Sequence, residues 1–311
     1  MSLAACNAEQ STLHVFGAEA RQVRRLALVL TIGAVTIATI VVFLYIRAVR
    51  APEGRLSHEG GMHLVLWVGA IGPTLVLATL LIYALPTMRP RSAKPTDLVI
   101  RVDGEQFWWR VNYRPPGSAP LMSANEVRIP VGRTVVFELT AQDVIHSFWI
   151  PGLAGKMDMI PGRTNRLVVR AEKAGFYRGV CAEFCGLSHA LMAFDVIAMD
   201  GAAFDAWLVG SRAATKTVDA SPYGASLFDT QGCGACHAIR GTAHESAIGP
   251  DLSRFGERRT LGAGILPPTV DNIATFIRTP QAAKPGVRMP AYPQISPADA
   301  RAIALYLKGL K

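Results

Sequence analysis

Residues Cys181 to Met192 read CAEFCGLSHALM, placing two cysteines, a histidine and a methionine within one short stretch. Thiolate sulfur, imidazole and thioether form the ligand set that selects copper over magnesium or calcium. Cys181 and Cys185 are close enough in sequence for one loop to aim both sulfurs at a common point, where two thiolates can bridge two copper ions. His189 and the more distant His146, in Asp143-Val144-Ile145-His146-Ser147-Phe148-Trp149, can each cap one copper, and Met192 offers a weak axial thioether. Three plainer readings compete. A disulfide between Cys181 and Cys185 would leave His146, His189 and Met192 unexplained. A tetrahedral zinc site needs no Met192. A mononuclear blue-copper site needs only one cysteine.

Downstream, Cys233-Gly234-Ala235-Cys236-His237 is the CxxCH signature of covalent haem attachment. Cys233 and Cys236 would bond the vinyl groups and His237 would be the proximal iron ligand. Met289 is the only methionine after residue 199 and is the candidate sixth ligand; His244 is the fallback. A Met/His pair raises the iron potential. A copper-type cluster followed by a haem signature in one chain points to electron transfer.

Half of the 311 residues are apolar, and the mean hydropathy is +0.26. The excess sits in two uncharged runs, Leu26–Ile46 and Leu64–Leu85, of 21 and 22 residues. At about 1.5 Å rise per residue each crosses the roughly 30 Å hydrocarbon core of a bilayer. The short connection makes them a hairpin with both chain ends on one side. Arginines flank both ends of each run, so the positive-inside rule does not choose the side. Covalent haem attachment and a copper–thiolate centre both belong outside the bacterial cytoplasmic membrane, which places both termini in the periplasm. The net charge of +9 is concentrated in residues 1–96 and 221–311; juxtamembrane arginines beside anionic lipid account for the first part. Nothing suggests a nucleic-acid groove. Leu3-Ala4-Ala5-Cys6 resembles a bacterial lipobox but lacks a preceding apolar run, so Cys6 reads either as a lipidated residue or as incidental.

Residues 97–200 alternate at period two between Gly/Pro turns, with strands expected at 99–102, 107–113, 127–129, 134–139 and 167–170. Such a pattern predicts a sandwich or barrel. Residues 201–220 begin with a short amphipathic stretch and then lose pattern, as a linker would. From Ser221 the period becomes helical, with Ser221-Pro222, Thr269 and Ser296-Pro297 as helix starts. The expected organisation is an N-terminal segment (1–25), a transmembrane hairpin (26–90), an all-β domain (97–200), a linker (201–220) and an all-α domain (221–311).

With Asp143-Val144-Ile145-His146-Ser147-Phe148, Lys156-x-Asp158-x-Ile160-Pro161-Gly162-Arg163 and the Cys181–Met192 motif, residues 20–200 resemble subunit II of the haem–copper cytochrome c oxidases. Gly249-Pro250-Asp251-Leu252 and Val287-Arg288-Met289-Pro290-Ala291-Tyr292 are similar to class I cytochromes c. The whole chain thus resembles the subunit II variant with a fused C-terminal cytochrome c. The resemblance implies a multidomain membrane protein: a two-helix hairpin, an all-β cupredoxin domain and an all-α cytochrome c domain. It implies a dinuclear CuA centre on His146, Cys181, Cys185, His189, Met192 and the Glu183 carbonyl, and a haem c on Cys233, Cys236, His237 and Met289. In the family the glutamate side chain also reaches a magnesium ion bordering subunit I, which extends here to Glu183.

Implied partners are oxidase subunit I and further oxidase subunits, an external cytochrome c donor and the lipid bilayer. The implied activity is electron input to dioxygen reduction coupled to proton pumping. The alternatives are a nitric oxide reductase subunit or a membrane-anchored copper-handling protein. Two departures stand out. Phe107 occupies the place of the family's cytochrome c docking tryptophan, and Leu64 that of a glutamate linked to proton entry. A fused donor on a short flexible linker would face its acceptor at an effective concentration of around millimolar.

Overall fold

Period-two alternation builds two five-stranded sheets that share one core. The computed structural model describes residues 7–52, 54, 57–89, 91–218 and 221–311; Cys6 lies outside them. One sheet contains β1 (Leu98–Glu105), β2 (Trp108–Arg114), β3 (Leu121–Ala124), β5 (Thr134–Ala141) and β8 (Asn165–Arg170), in the order β3-β2-β1-β5-β8. The other contains β4 (Glu126–Pro130), β6 (His146–Trp149), β7 (Met157–Met159), β9 (Gly175–Cys181) and β10 (Ala193–Met199), in the order β4-β10-β9-β6-β7. The β1/β5 and β4/β10 pairs run parallel and the remaining pairs antiparallel. Along β2, Trp109, Val111 and Tyr113 are buried while their neighbours are less so, the pattern of a strand with one core face.

Aromatic rings fill the space between the sheets. Phe148 stacks on Phe194 at 4.7 Å between ring centroids, and Trp109 meets both rings edge-on at 5.8 and 5.1 Å. Edge-to-face and stacked pairs add about 0.5–1.5 kcal/mol beyond the area they bury. Gly179 is required beneath this cluster, because an added Cβ would overlap the Phe194 ring. The N-terminal segment joins the same core. Phe16 is buried and stacks on Tyr177 at 3.4 Å, and the main chain of Phe16 and Gly17 bonds to Gly152.

Helix α1 (Ala18–Val49) and helix α2 (His58–Ala84) each contain an uncharged window of mean hydropathy 2.6 and 2.2, with none of it buried within the chain. Residues 21–91 form a unit of their own. Inside the apolar runs the hydroxyls of Thr31, Thr36, Thr39, Thr74 and Thr79 bond the carbonyl four residues back, so these side chains carry no free polar group into lipid. Ahead of Pro73 the helix widens into a π turn over Val65–Ile71, where the Gly72 amide donates to the Trp67 carbonyl. Such a turn accommodates the proline ring and its missing N–H.

Helix α3 (Gly201–Gly210) starts on an Asp200 cap and buries Phe204 and Leu208 in the sandwich core. Beyond it the chain is hydrogen-bonded onto the last domain: Thr215 N–H donates to Arg240 O, Lys216 and Lys311 exchange amide bonds, and Val218 N–H donates to Gly309 O. The described part of the 201–220 stretch is therefore a laced strap and not a free tether. The last domain has α4 (Pro222–Thr230), α5 (Val270–Arg278), α6 (Pro280–Ala283) and α7 (Pro297–Lys308). Ser221, Thr269 and Ser296 cap α4, α5 and α7 through their hydroxyls, each such cap contributing about 1 kcal/mol. Helices α4 and α7 cross at Gly224, where a Cβ would overlap the Ala302 carbonyl. Ile303, Tyr306 and Leu310 are buried in the core of this domain, whereas Leu305 is 44% exposed.

Gly179→Ala forces the Phe194 ring out of place, and overpacking of this kind costs about 1–3 kcal/mol. Thermal unfolding of the purified chain should show a lower midpoint; an unchanged one would mean the ring can yield without cost.

Candidate metal and haem sites

The ends of three strands bring the first cluster together. His146 opens β6, Cys181 closes β9, and Met192 stands immediately before β10, so the loop between β9 and β10 carries Cys185 and His189 past them. Phe148 pairs with Cys181 in the register of β6 and β9, which sets His146 beside the cysteine loop. Gly104 on β1 leaves room for the imidazole, since a Cβ there would lie 3.0 Å from the ring.

The Cys181 and Cys185 sulfurs are 3.8 Å apart, too far for a disulfide. His146 Nδ1 lies 3.9 Å from Cys181 Sγ, and His189 Nδ1 lies 3.7 Å from Cys185 Sγ. Met192 Sδ is 3.8 Å from Cys185 Sγ, and the Glu183 carbonyl oxygen is 3.2 Å from Cys181 Sγ. Donors bonded to a metal at about 2.0–2.3 Å and spread tetrahedrally stand roughly 3.3–3.8 Å from one another. The separations fit a soft metal, and His146, Cys181 and Cys185 are all buried.

The electrostatics favour a cation. A hydrogen bond from Cys185 holds the Cys181 thiol below its usual range, while the same bond and burial push the Cys185 thiol up. Two thiols this close share one proton unless positive charge lies between them. Asp143 is a carboxylate that orients the site. Its oxygens accept from the Gln106 and Val144 amides at 2.8 Å, meet His146 Nε2 at 2.9 Å and accept from Arg288 Nη2 at 2.8 Å. Burial opposes ionisation of Asp143, but the bonds with the Gln106 amide, His146 and the Val144 amide outweigh it and lower its pKa. Fixing the far nitrogen of an imidazole ligand in this way sets which nitrogen faces the metal. The Glu183 side chain is half exposed with Oε2 3.6 Å from Lys156 Nζ, an ion pair that lends no support to a magnesium ion there.

The second cluster lies in the α-helical domain. Cys233–Ala235 forms one 3-10 turn, and the His237 amide closes it onto the Cys233 carbonyl at 3.1 Å. His237 Nδ1 donates to Pro250 O at 2.8 Å, which leaves Nε2 as the lone pair for iron. Burial lowers the His237 pKa, with the Pro250 bond opposing it, so the ring is held neutral as a ligand must be. Gly249 permits this approach, because a Cβ would sit 2.8 Å from the His237 ring. Cys233, Met289 and Tyr292 pack against the same core as α4, α5 and α7. His244, the fallback ligand, instead bonds Asp229 through Nε2 at 2.7 Å and covers Gly234.

Sequence reasoning missed several residues that bind the two sites together. Asp143 lies within the Asp143–Phe148 stretch and Gln106 beside Phe107, and neither carries a role in the sequence alone; Gln106 Nε2 donates to Cys185 O at 2.5 Å. Lys284 is buried at 2% exposure, and burial pulls its pKa down to about 7. Phe107 is buried at 3% beneath the Gly186 and Gly286 loops. No local pattern distinguishes a lysine or phenylalanine buried between domains from a surface one; only Arg288, adjoining Met289, carried a hint of position.

A family model described as "Cytochrome C oxidase subunit II, periplasmic domain" matches residues 115–199, and one described as "Cytochrome c" matches residues 221–311. The chain is 44% identical over 214 residues to cytochrome c oxidase subunit 2 of Alkalihalophilus pseudofirmus, covering 68% of this chain and 61% of that one. It is 34% identical over 250 residues to cytochrome c oxidase subunit 2 of Bacillus subtilis, covering 76% of this chain and 69% of the relative. Among solved structures, the periplasmic domain of subunit II of cytochrome oxidase of Bradyrhizobium japonicum is 30% identical, with a TM-score of 0.36, covering 39% of this chain and 97% of that one.

Asp143→Asn removes the carboxylate that steadies His146. Loss of such a partner typically weakens metal affinity about 10–100-fold. Competition with a copper chelator should detect that drop, and full retention of copper would show that the strands alone fix the ring.

Proposed function

The chain belongs to the cytochrome c oxidase subunit II family, and on that premise we propose that it is the electron-input subunit of a terminal oxidase. In this reading an external cytochrome c delivers electrons to the haem domain, the copper centre receives them, and a haem of subunit I accepts them for dioxygen reduction coupled to proton pumping. The two domains imply copper and haem c; when bound, these groups supply rapid one-electron exchange with little change of geometry. The observation that carries the proposal is the convergence of two imidazoles, a thioether and a carbonyl on a pair of cysteine sulfurs, each 3.2–3.9 Å from one of the two sulfurs, which are themselves 3.8 Å apart.

The protein's residues have distinct tasks. Cys181, Cys185, His146, His189, Met192 and the Glu183 carbonyl would hold the dinuclear copper, the two thiolates carrying most of the charge that balances it. Cys233 and Cys236 would anchor the haem, and His237 and Met289 would ligate its iron. Asp143 and Pro250 O hold the tautomers of His146 and His237. Buried sulfurs exclude water and exchange metal slowly, unlike a copper-delivery protein. The exposed apolar side chains of Val144, Ile145 and Phe184, which flank copper ligands, suit burial against subunit I. Both membrane helices anchor the chain, with the two cofactor domains and both termini in the periplasm.

An EPR spectrum of the purified full chain should show the multi-line signal of one electron shared over two coppers, and Cys185→Ser should abolish it. Zinc in the metal analysis, or Cys181 and Cys185 oxidised to each other, would overturn the proposal. Met289→Ala should convert the haem to a five-coordinate or misligated spectrum while the copper signal persists; an unchanged haem spectrum would remove Met289 from the ligand set. Because the Cys185 proton must leave before both thiolates bind, copper loading of the metal-free chain should weaken as pH falls. A chelator titration across pH would read that trend, and a flat profile would contradict it.

A further inference from the structure

The haem domain grips the copper loop with its own main chain. Gly262, Ala263 and Gly264 all lie in the left-handed region, at φ of 66°, 62° and 83°. For alanine that conformation is strained and persists only where surrounding contacts impose it. Ala263 is 2% exposed, and the contacts are evident. The three successive carbonyls meet three donors: Lys284 Nζ donates to Gly262 O at 2.6 Å, Ala193 N–H to Ala263 O at 3.0 Å, and Arg178 Nη1 to Gly264 O at 2.7 Å. Two of those donors, Ala193 and Arg178, belong to the sandwich.

Lys284 works in both directions. Its ammonium also donates to Leu191 O at 3.0 Å. The residues on either side of Met192 are thus both fastened to the haem domain: Leu191 by its carbonyl, Ala193 by its amide. Met192 itself is tied to the copper site, since its carbonyl accepts from the Cys181 amide at 2.9 Å. Packing leaves no slack, because a Cβ on Gly264 would stand 2.9 Å from Ala193 Cβ. Burying a lysine is costly in side-chain entropy and desolvation. A docking surface in need only of cohesion would be better served by an apolar side chain.

We infer that the haem domain sets the position of the Met192 thioether, with Lys284 as the positioning residue that locks the Leu191 carbonyl to the left-handed turn at 262–264. The inference rests on the reading of Met192 as a copper ligand. A weak axial thioether is the ligand through which a protein tunes a copper–thiolate centre, so the neighbouring domain takes part in that tuning without touching the metal.

The test uses the full chain loaded with both cofactors. Lys284→Met keeps the length of the side chain and removes its ammonium. The expected result is a changed copper hyperfine pattern and a shifted copper reduction potential, with the haem absorption bands as in the unsubstituted protein. Arg178→Gln, which releases only Gly264 O, should give a smaller change in the same two copper readings. Copper hyperfine and potential identical to the unsubstituted protein, in Lys284→Met with its haem in place, would overturn the inference alone. If Lys284→Met fails to load haem, Arg178→Gln decides by the same readings. An unsubstituted chain without a dinuclear copper signal would overturn this inference together with the function it rests on.

Discussion

Two thiols 3.8 Å apart in a buried pocket cannot both ionise unless a cation sits between them. That constraint organises the copper end of the sandwich. The strands are placed so that His146, Cys181 and Met192 occupy strand ends, where a rigid sheet fixes their main chain and the connecting loop supplies the rest. The aromatic cluster of Trp109, Phe148 and Phe194 lies directly behind, and Trp109 also faces the His146 ring at 6.3 Å. A packed wall of this kind holds donor atoms within the few tenths of an ångström that a metal site demands. Asp143 then joins the copper side to the haem domain, because one carboxylate serves the His146 ring and the Arg288 guanidinium together.

Much of the architecture was legible in the chain. The two uncharged runs announce membrane helices, and Ser221, Thr269 and Ser296 each cap the helix their position suggests. The strands expected from the sequence fall on β1, β2, β4, β5 and β8; β2 alternates along its length and β1 over its first half, because one face meets the core and the other is wetter. β3, β6, β7, β9 and β10 were not visible, the last two for identifiable reasons. In β9 the glycines at 175 and 179 interrupt the pattern, the second because it lies under Phe194. In β10 the first four residues are all buried, since the haem domain covers the outer face through Ala263 and Thr260. A strand buried on both faces loses the alternation by which it is recognised.

The candidate ligands were legible as residue types at characteristic spacings, and the fold gathers His146, Cys181, Cys185, His189 and Met192 into one cluster. What the spacing could not convey is how that cluster is supported. Lys284 and the turn at 262–264 lie far in sequence from the copper loop and from Arg178 beside it, and their roles exist only once two domains meet. The stretch from Ser211 to Val218 illustrates the same point. It has the composition of a tether, yet its amides bond Arg240, Lys311 and Gly309, so the domains are joined along a seam.

That seam covers Phe107. The ring is buried under Gly186 and Gly286, so a protein arriving from solution has no access to it. On the function proposed above, recognition of an external donor would then fall to the outward face of the C-terminal domain and not to Phe107. The two surfaces can then change independently over evolutionary time: the outer one following whichever donor the cell provides, the inner one answering only to its permanently attached neighbour.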